Sequence, residues 1–301
     1  MRSERNKTLD MPLAECGEYL CRCVSAEKTD GGDIPENSVV CGDFFAAVKA
    51  VADGSVDLCI ADPPYNLRKD FGGEVFSKRS SEDYAEFTRA WLKELKRILK
   101  PSASVYVCCD WETSIVLGAV LGEFFTVRSR ITWQREKGRG AAKNWKNSME
   151  DIWFCTVSDD YTFNLDAVKQ RRKVKAPYRE NGVPKDWDET ENGNFRFTCP
   201  SNFWDDITVP FWSMAENTAH PTQKPEKLIA KLILASSKEN DLVFDPFAGL
   251  GTTAVTAKKL GRKYIAVEKN EQYCAWSQIR LEKADTDKRI QGFENGVFIK
   301  K

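Results

Sequence analysis

The chain has 301 residues, 42% of them hydrophobic, long and apolar enough for a packed core and unlike a disordered tail, a fibre or a bare coiled coil. It has no apolar run of about 18 residues, so no transmembrane helix is expected, and the polar start Met1–Asp10 lacks the apolar stretch of a secretory signal. Its 45 Lys and Arg balance 45 Asp and Glu, yet Arg128–Lys185 holds 14 Lys and Arg against 7 Asp and Glu. That excess fits either a local polyanion-binding face or an ordinary solvated surface.

In chain order, residues 1–36 read as a polar N-terminal extension with a turn-rich break at Lys28–Asp33. Ser38–Val40 starts a short strand that runs into Cys41-Gly42-Asp43, and Phe44–Val51 has helical apolar spacing. Val56–Ile60 is a buried strand feeding a Pro-rich turn. Ser81 caps a predicted helix to about Leu99, with Tyr84, Phe87, Trp91, Leu92, Leu95 and Ile98 on one face and Pro101 as its stop. Ala103–Cys108, Phe124–Trp133 and Asp151–Val157 read as strands, the last two flanking a basic loop, Arg135–Lys146. Asp159–Trp212 has no clean period and reads as an inserted, irregular recognition segment. Periodicity returns with an amphipathic helix over Glu226–Ala235, with Pro225 at its N1 position. A strand at Leu242–Phe244, a helix over Thr252–Leu260 closed by Gly261, a strand at Tyr264–Val267 and a helix over Glu271–Glu282 follow. Strands alternating with helices on short connections predict an α/β, doubly wound sheet.

Two segments carry chemistry. In Leu242–Thr253 an apolar strand ends at Asp245, and a turn with Gly249 and Gly251 opens a helix. That context suits nucleotide or cofactor binding at the carboxyl edge of a sheet. The third glycine of a dinucleotide fingerprint and the Gly-Lys of a P-loop are both missing. Asp245 would repel a pyrophosphate but would attract an ammonium or a sulfonium. About 17 residues beyond Gly251, Glu268 ends the next strand, where a carboxylate can accept ribose hydroxyls. Together these point to S-adenosylmethionine; a tight turn before a helix is the plainer alternative. The second segment, Asp62-Pro63-Pro64-Tyr65, is a stiff loop offering a carboxylate, carbonyls and an aromatic face. Such a loop fits an exocyclic amine on a planar ring. Asp62 and the Pro63 carbonyl would accept its two hydrogens, and Tyr65 would stack on the ring. Ten cysteines without a signal peptide read as reduced thiols. Cys16, Cys21 and Cys23 lack a second cysteine pair, and the chain has 1 His, so no metal site is expected.

This motif pair resembles that of the S-adenosylmethionine-dependent DNA amino-methyltransferases. Asp62-Pro63-Pro64-Tyr65 precedes Asp245–Thr253, an order similar to the permuted β class of restriction–modification and related bacterial systems. His220–Pro225 resembles the segment before the cofactor strand in that class. Ile131–Lys137 and Glu150–Phe154 match its middle region more loosely. The resemblance spans roughly 38–284 and fades over about 159–212. It implies a seven-stranded, mostly parallel sheet with a target-recognition insertion over 159–215. The catalytic half would lie in 37–158 and the cofactor half in 216–301. It further implies that Asp245, Phe247, Gly249, Gly251 and Thr252 line the methionine end of the cofactor. Glu268 would hold the ribose, Asp43 would lie near the adenine, and Asp62 would border the cofactor as well as the base. His220, Thr222 and Lys224 would contact the cofactor carboxylate side, His220 as a binding group.

The implied reaction is methyl transfer to N6 of adenine in double-stranded DNA, after the base flips out of the helix. Asp at position 62, where the family also uses Ser, favours adenine over N4 of cytosine. Arg135, Lys137, Arg139, Lys143, Lys146, Arg171, Arg172, Lys173 and Lys175 are the expected phosphate contacts. Trp145 and Trp187 are candidates to wedge or stack near DNA. A bacterial, cytoplasmic, DNA-associated protein is implied, with a homodimer and a cognate restriction endonuclease as candidate partners and no membrane. N4-cytosine methylation, or an inactive DNA- or cofactor-binding protein on the same fold, are the alternatives. A nicotinamide-dependent oxidoreductase fits less well, because Asp245 stands where a pyrophosphate would sit.

Overall fold

A computed structural model describes residues 5–28, 33–67, 69–70, 75–135, 142–175, 177–191, 193–220 and 222–299. Lys137 and Arg139 lie outside the described residues. The strands that build its two larger sheets are β1 (Val24–Ser25), β2 (Ser38–Cys41), β3 (Val56–Ala61), β4 (Leu99–Cys109), β5 (Thr126–Gln134), β6 (Met149–Thr156), β7 (Gln170–Lys173), β8 (Asp188–Thr190), β9 (Gly193–Thr198), β10 (Phe203–Trp204), β11 (Leu242–Asp245), β12 (Lys263–Glu268), β13 (Phe293–Glu294) and β14 (Val297–Ile299). The helices are α1 (Gly17–Leu20), α2 (Phe44–Ala47), α3 (Ser81–Ile98), α4 (Trp111–Phe124), α5 (Glu226–Ser236), α6 (Thr252–Lys259) and α7 (Glu271–Thr286).

The central sheet runs β1-β2-β12-β11-β3-β4-β6-β5-β10. It has nine strands rather than the expected seven, because the two-residue strands β1 and β10 extend its edges. Only β6 runs against its neighbours β4 and β5; the other pairings are parallel. Alternate residues of each inner strand face opposite cores. Leu58, Ile60 and Tyr106 pack with α5, α6 and α7, whereas Cys59, Ala61 and Val105 pack with α2, α3 and α4. Helices thus cover both faces, as the alternating sequence pattern requires.

α3 shows how closely the local signals work. Its cap is Ser80, one residue before the expected Ser81: the Ser80 hydroxyl accepts from the Asp83 N–H at 3.0 Å. Glu82 and Asp83 in the first turn and Lys96 and Arg97 in the last complement the helix dipole. The chain turns extended at Leu99, and β4 takes in the expected stop, Pro101, where its register against β3 shifts. α2 is one turn followed by a 3-10 turn over Val48–Ala50, shorter than the predicted Phe44–Val51 helix. α4 has no readable period, because its run Ile115–Leu121 is apolar all round, although Asp110 caps it by accepting from the Thr113 N–H at 2.9 Å. α5 is not amphipathic but buried on nearly every side, and Pro225 is its N-cap rather than N1. Its Lys227 and Lys231 ammonium groups both pair with Asp206, at 2.8 and 3.3 Å.

Three segments depart from the expected division of the chain. Residues 5–28, within the expected N-terminal extension, pack onto the rest of the chain. They run beside the 212–219 loop, where Leu9 N–H donates to the Asn217 carbonyl at 3.0 Å, and along α7, where Trp276 donates to the Met11 carbonyl at 2.8 Å. The segment read as irregular forms a second sheet, β8-β9-β7-β14-β13. The C-terminal strands β13 and β14, assigned from sequence to the cofactor half, complete that sheet, and β10, assigned to the insertion, joins the central one.

Candidate active site

Parallel pairing sets the site. β3 and β11 are neighbours, with Val243 opposite Leu58 and Phe244 opposite Cys59. Their carboxyl ends bring Asp62 and Asp245 to one edge, although 183 residues separate them in the chain. β12 and β2 add Glu268 and Asp43 along the same edge. From β3 the chain leaves to the α3 face and from β11 to the α6 face, so a crevice opens between them. Because β6 is antiparallel, its beginning, Glu150, arrives at that edge too.

A cavity of about 480 Å³ fills the crevice. Asp43, Phe44, Phe45, Phe247, Gly249, Glu268, His220, Thr222 and Tyr273 line one part of it. Asp62–Tyr65, Leu67, Arg79, Phe87, Arg135, Asn147, Met149, Glu150 and Lys224 line the other. A smaller recess between Asp62, Lys224, Asp245, Gly249 and Thr252 adjoins it.

The loop after β3 is anchored from below. Tyr84 of α3 donates its hydroxyl to the Pro64 carbonyl at 3.0 Å, and the Asn66 N–H donates to the Thr113 hydroxyl at 3.2 Å. Lys224, 8% exposed, donates to Asp62 Oδ2 at 2.6 Å and to the Tyr65 hydroxyl oxygen at 3.0 Å, and lies 3.2 Å from Glu150 Oε2. The Tyr65 hydroxyl donates to Asp62 Oδ1 at 2.8 Å and lies 3.3 Å from Glu150 Oε2. Arg135 pairs with Glu150 Oε1. Burial alone would lower the Lys224 pKa, but the Asp62 and Glu150 carboxylates outweigh it and hold the ammonium well above its ordinary value. Burial first, then the same two carboxylates, pushes the Tyr65 phenol far up. Each Asp62 oxygen keeps a second lone pair.

Lys224 therefore meets Asp62, where the sequence placed it at the cofactor carboxylate. Arg135, expected on a phosphate, is turned inward onto Glu150. Glu150 itself carried no assigned role; its signals are a carboxylate at the head of the apolar strand β6 and its place in the Glu150–Phe154 segment that loosely resembles the family's middle region.

At the other end, Glu268 accepts from the Gly249 and Asn270 N–H groups at 2.7 and 2.8 Å. Asp245 accepts from the Phe247 N–H at 3.0 Å. Burial above all raises the Asp245 pKa to about 7, partly offset by the Thr253 hydroxyl and the Phe247 N–H. The Asp43 carboxylate caps α2 through the Phe45 N–H at 2.8 Å. His220 packs edge-on against Tyr273 at 4.7 Å, and its Nδ1 accepts from the Thr222 N–H at 3.3 Å. Gly249 and Gly251 divide their roles. Both have positive φ, but a Cβ on Gly249 would meet open space, whereas on Gly251 it would lie 2.8 Å from the Ser277 hydroxyl. Gly251 thus serves the close packing of α7 rather than the cavity wall. The Thr252 hydroxyl, also expected at the ligand, accepts from buried Arg280 at 3.0 Å.

Of the basic residues expected at phosphates, Lys143, Lys146, Arg172, Lys173 and Lys175 are exposed and Arg171 is half-buried. Alternation along β7 separates Arg171 and Lys173 from Arg172. Trp145 is 92% exposed; Trp187 is buried, its ring N–H donating to the Tyr178 carbonyl at 2.8 Å. No helix of the described residues is long and apolar enough to cross a membrane.

Type II methyltransferase M.HpaI from Haemophilus parainfluenzae is 33% identical over 265 residues, covering 86% of this chain and 77% of that protein. DNA adenine methyltransferase YhdJ from Escherichia coli (strain K12) is 35% identical over 255 residues, covering 82% of this chain and 83% of that protein. The solved M1.HpyAVI–SAM complex superposes with a TM-score of 0.56 at 22% identity, over 81% of this chain and 98% of that one. PvuII DNA methyltransferase (cytosine-N4-specific) does so with a TM-score of 0.62 at 18% identity, over 84% and 92%. Both share the α/β fold. The DNA methylase family, N6 and N4 types together, matches residues 56–279: the chain belongs to that family.

Proposed function

We propose that the protein transfers a methyl group from S-adenosylmethionine to N6 of adenine in double-stranded DNA, and that it belongs to the permuted β class. The juxtaposition of Asp62, on its stiff loop, with the Asp245–Glu268 edge in one crevice carries this reading. The order of the two motifs supports the class. Asp at position 62 and the relative named for adenine support the base.

The cavity suits the cofactor. Gly249 leaves open space where any other residue would place a Cβ, so a ligand can lie against the backbone. Asp245 is a buried carboxyl poised to ionise beside a cation. Glu268 lines the cavity at the position where a carboxylate can accept ribose hydroxyls, and Asp43, Phe44 and Phe247 border a space for the adenine. His220 and Thr222 lie on the same wall. When bound, S-adenosylmethionine supplies a methyl on a sulfonium that leaves as a neutral thioether.

The chain's own residues do the rest. An adenine amino group is a poor nucleophile while its lone pair is delocalised into the ring. Asp62 and the Pro63 carbonyl accept its two hydrogens, draw the nitrogen toward tetrahedral geometry and stabilise the positive charge that develops there. The Pro64 carbonyl is already engaged by Tyr84, which fixes the loop for that task. Tyr65 and Phe87 offer faces to a base flipped into the cavity. Asn147 and Met149 border the same space below exposed Lys143, Trp145 and Lys146, which would meet the backbone or fill the gap in the duplex. One face of the second sheet carries Arg171, Lys173, Phe195 and Phe197, with the Arg171 guanidinium 3.9 Å above the Phe195 ring. Basic and aromatic groups interleaved in this way suit DNA, and residues 159–215 are proposed to read the target sequence. A homodimer and a cognate restriction endonuclease remain the proposed protein partners.

The test is transfer of a labelled methyl group from S-adenosylmethionine to unmethylated bacterial DNA. Label in DNA with the parent chain and none with Asp62→Ala supports the reading. Equal labelling by both overturns the role of Asp62.

A further inference from the structure

Asp62 is asked to act as an anion toward the amino group, yet an ammonium sits 2.6 Å from it. A lysine that close, in a wall shielded from water, cancels most of the carboxylate's field. Glu150 is the second carboxylate on that lysine, 3.2 Å from Nζ, with its side chain 5% exposed. Asp62 and Lys224 already pair, and Glu150 is a second buried carboxylate beside them, a placement that needs cations of its own. The other oxygen of Glu150 is held by Arg135, which lines the same cavity and whose side chain is 21% exposed. The Tyr65 hydroxyl bridges the two carboxylates on the cavity side.

We propose that Glu150 is a positioning residue for methyl transfer: its charge offsets that of Lys224, so Lys224 can hold Asp62 in place without cancelling it. The inference rests on the role proposed for Asp62. With Glu150 present, the two carboxylates Asp62 and Glu150 balance the two cations Lys224 and Arg135 beside the amino group. With Glu150 neutralised, Asp62 alone faces both cations, the cluster turns net positive, and the charge developing on nitrogen is opposed rather than stabilised.

The experiment measures the cost of Glu150→Gln in two backgrounds, the parent chain and Lys224→Met, by single-turnover methyl transfer at saturating cofactor and DNA. Calorimetric titration with S-adenosylmethionine checks that each variant is folded. In the parent, Glu150→Gln should slow transfer about 100-fold, the scale of losing one preorganised electrostatic partner, with cofactor affinity within about threefold. In Lys224→Met, where Asp62 is left to balance Arg135 alone and the cluster never turns positive, the same substitution should cost less than about threefold. Equal costs in the two backgrounds would overturn the proposal and make Glu150 a packing residue. If Glu150→Gln fails to fold in the parent, the Lys224→Met pair still decides, because a loss there above about tenfold contradicts the offset. Asp62→Ala, run alongside, separates the two levels. If it keeps transfer, the reading of Asp62 falls; if it is dead and the costs are equal, only the role of Glu150 falls.

Discussion

Alanine at Gly249 and at Gly251 should damage the protein in different ways, although the two glycines lie two residues apart in one turn. Both have left-handed φ, at +52° and +62°, so an alanine at either costs about 1–2 kcal/mol in backbone strain. At Gly249 the added methyl meets nothing within 4 Å, so that strain is the whole effect on stability. At Gly251 it meets the Ser277 hydroxyl at 2.8 Å and the Ser277 Cβ at 2.9 Å, on packed helix α7. Overpacking of that kind adds about 1–3 kcal/mol, for a total near 2–5 kcal/mol. Thermal unfolding should show a drop of about 2–4 °C per kcal/mol in a large domain, so Gly251→Ala should fall clearly below Gly249→Ala. Cofactor binding should reverse the order. The Gly249 methyl projects into the cavity and should weaken S-adenosylmethionine by at least about tenfold, or about 1.4 kcal/mol. Comparable destabilisation by both, with the Gly249→Ala chain binding normally, would refute the assignment of Gly249 to the ligand and Gly251 to α7.

Four further outcomes are expected. Asp62→Ala should lose methyl transfer while S-adenosylmethionine binding, measured by calorimetry, stays within about threefold; a parallel loss of binding would put Asp62 in the cofactor site instead. Asp245 has a folded pKa raised from 3.8 to about 7, and only its ionised form attracts a sulfonium, so cofactor affinity should fall by up to about tenfold per pH unit below 7. The same raised value means that the native state holds this proton more tightly than the unfolded chain. The associated stability is present below about pH 4 and lost as pH rises through about 7, so Asp245→Asn should gain melting temperature over the parent more at pH 8 than at pH 5. Equal shifts at both pH values would contradict the burial effect. Neutralising Arg171 with Lys173 should reduce the slope of log affinity for DNA against log salt by about 2, whereas an unchanged slope would place the DNA face elsewhere.

Most of the fold was legible because its signals are local. β3, β11 and β12 are short apolar runs that end at Asp62, Asp245 and Glu268, and α3 has its periodicity, cap and dipole charges in sequence. α4 was not legible, because an apolar run without polar punctuation has no period to read. The second sheet was hidden as well. Its strands are short, and one edge comes from the far C-terminus through the pairing of Phe298 with Gln170. In the site, residue types were readable but partners were not. Spacing shows that Gly249 and Gly251 free the backbone, yet it does not show that the second faces a helix. Lys224 looked like a ligand contact because its partners, Asp62 and Glu150, lie 162 and 74 residues away. Only the antiparallel course of β6 brings Glu150 to the edge where the parallel strands end.

The most direct test of the central claim is the identity of the methylated base. DNA lacking modification is incubated with the protein and S-adenosylmethionine, digested to nucleosides and analysed by mass spectrometry, with Asp62→Ala as the control. N6-methyladenine, present with the parent chain and absent with the control, is the expected result. N4-methylcytosine would keep the fold and the cofactor but contradict the reading of Asp62 as an adenine determinant, and no methylated base in either sample would contradict DNA methylation by this crevice.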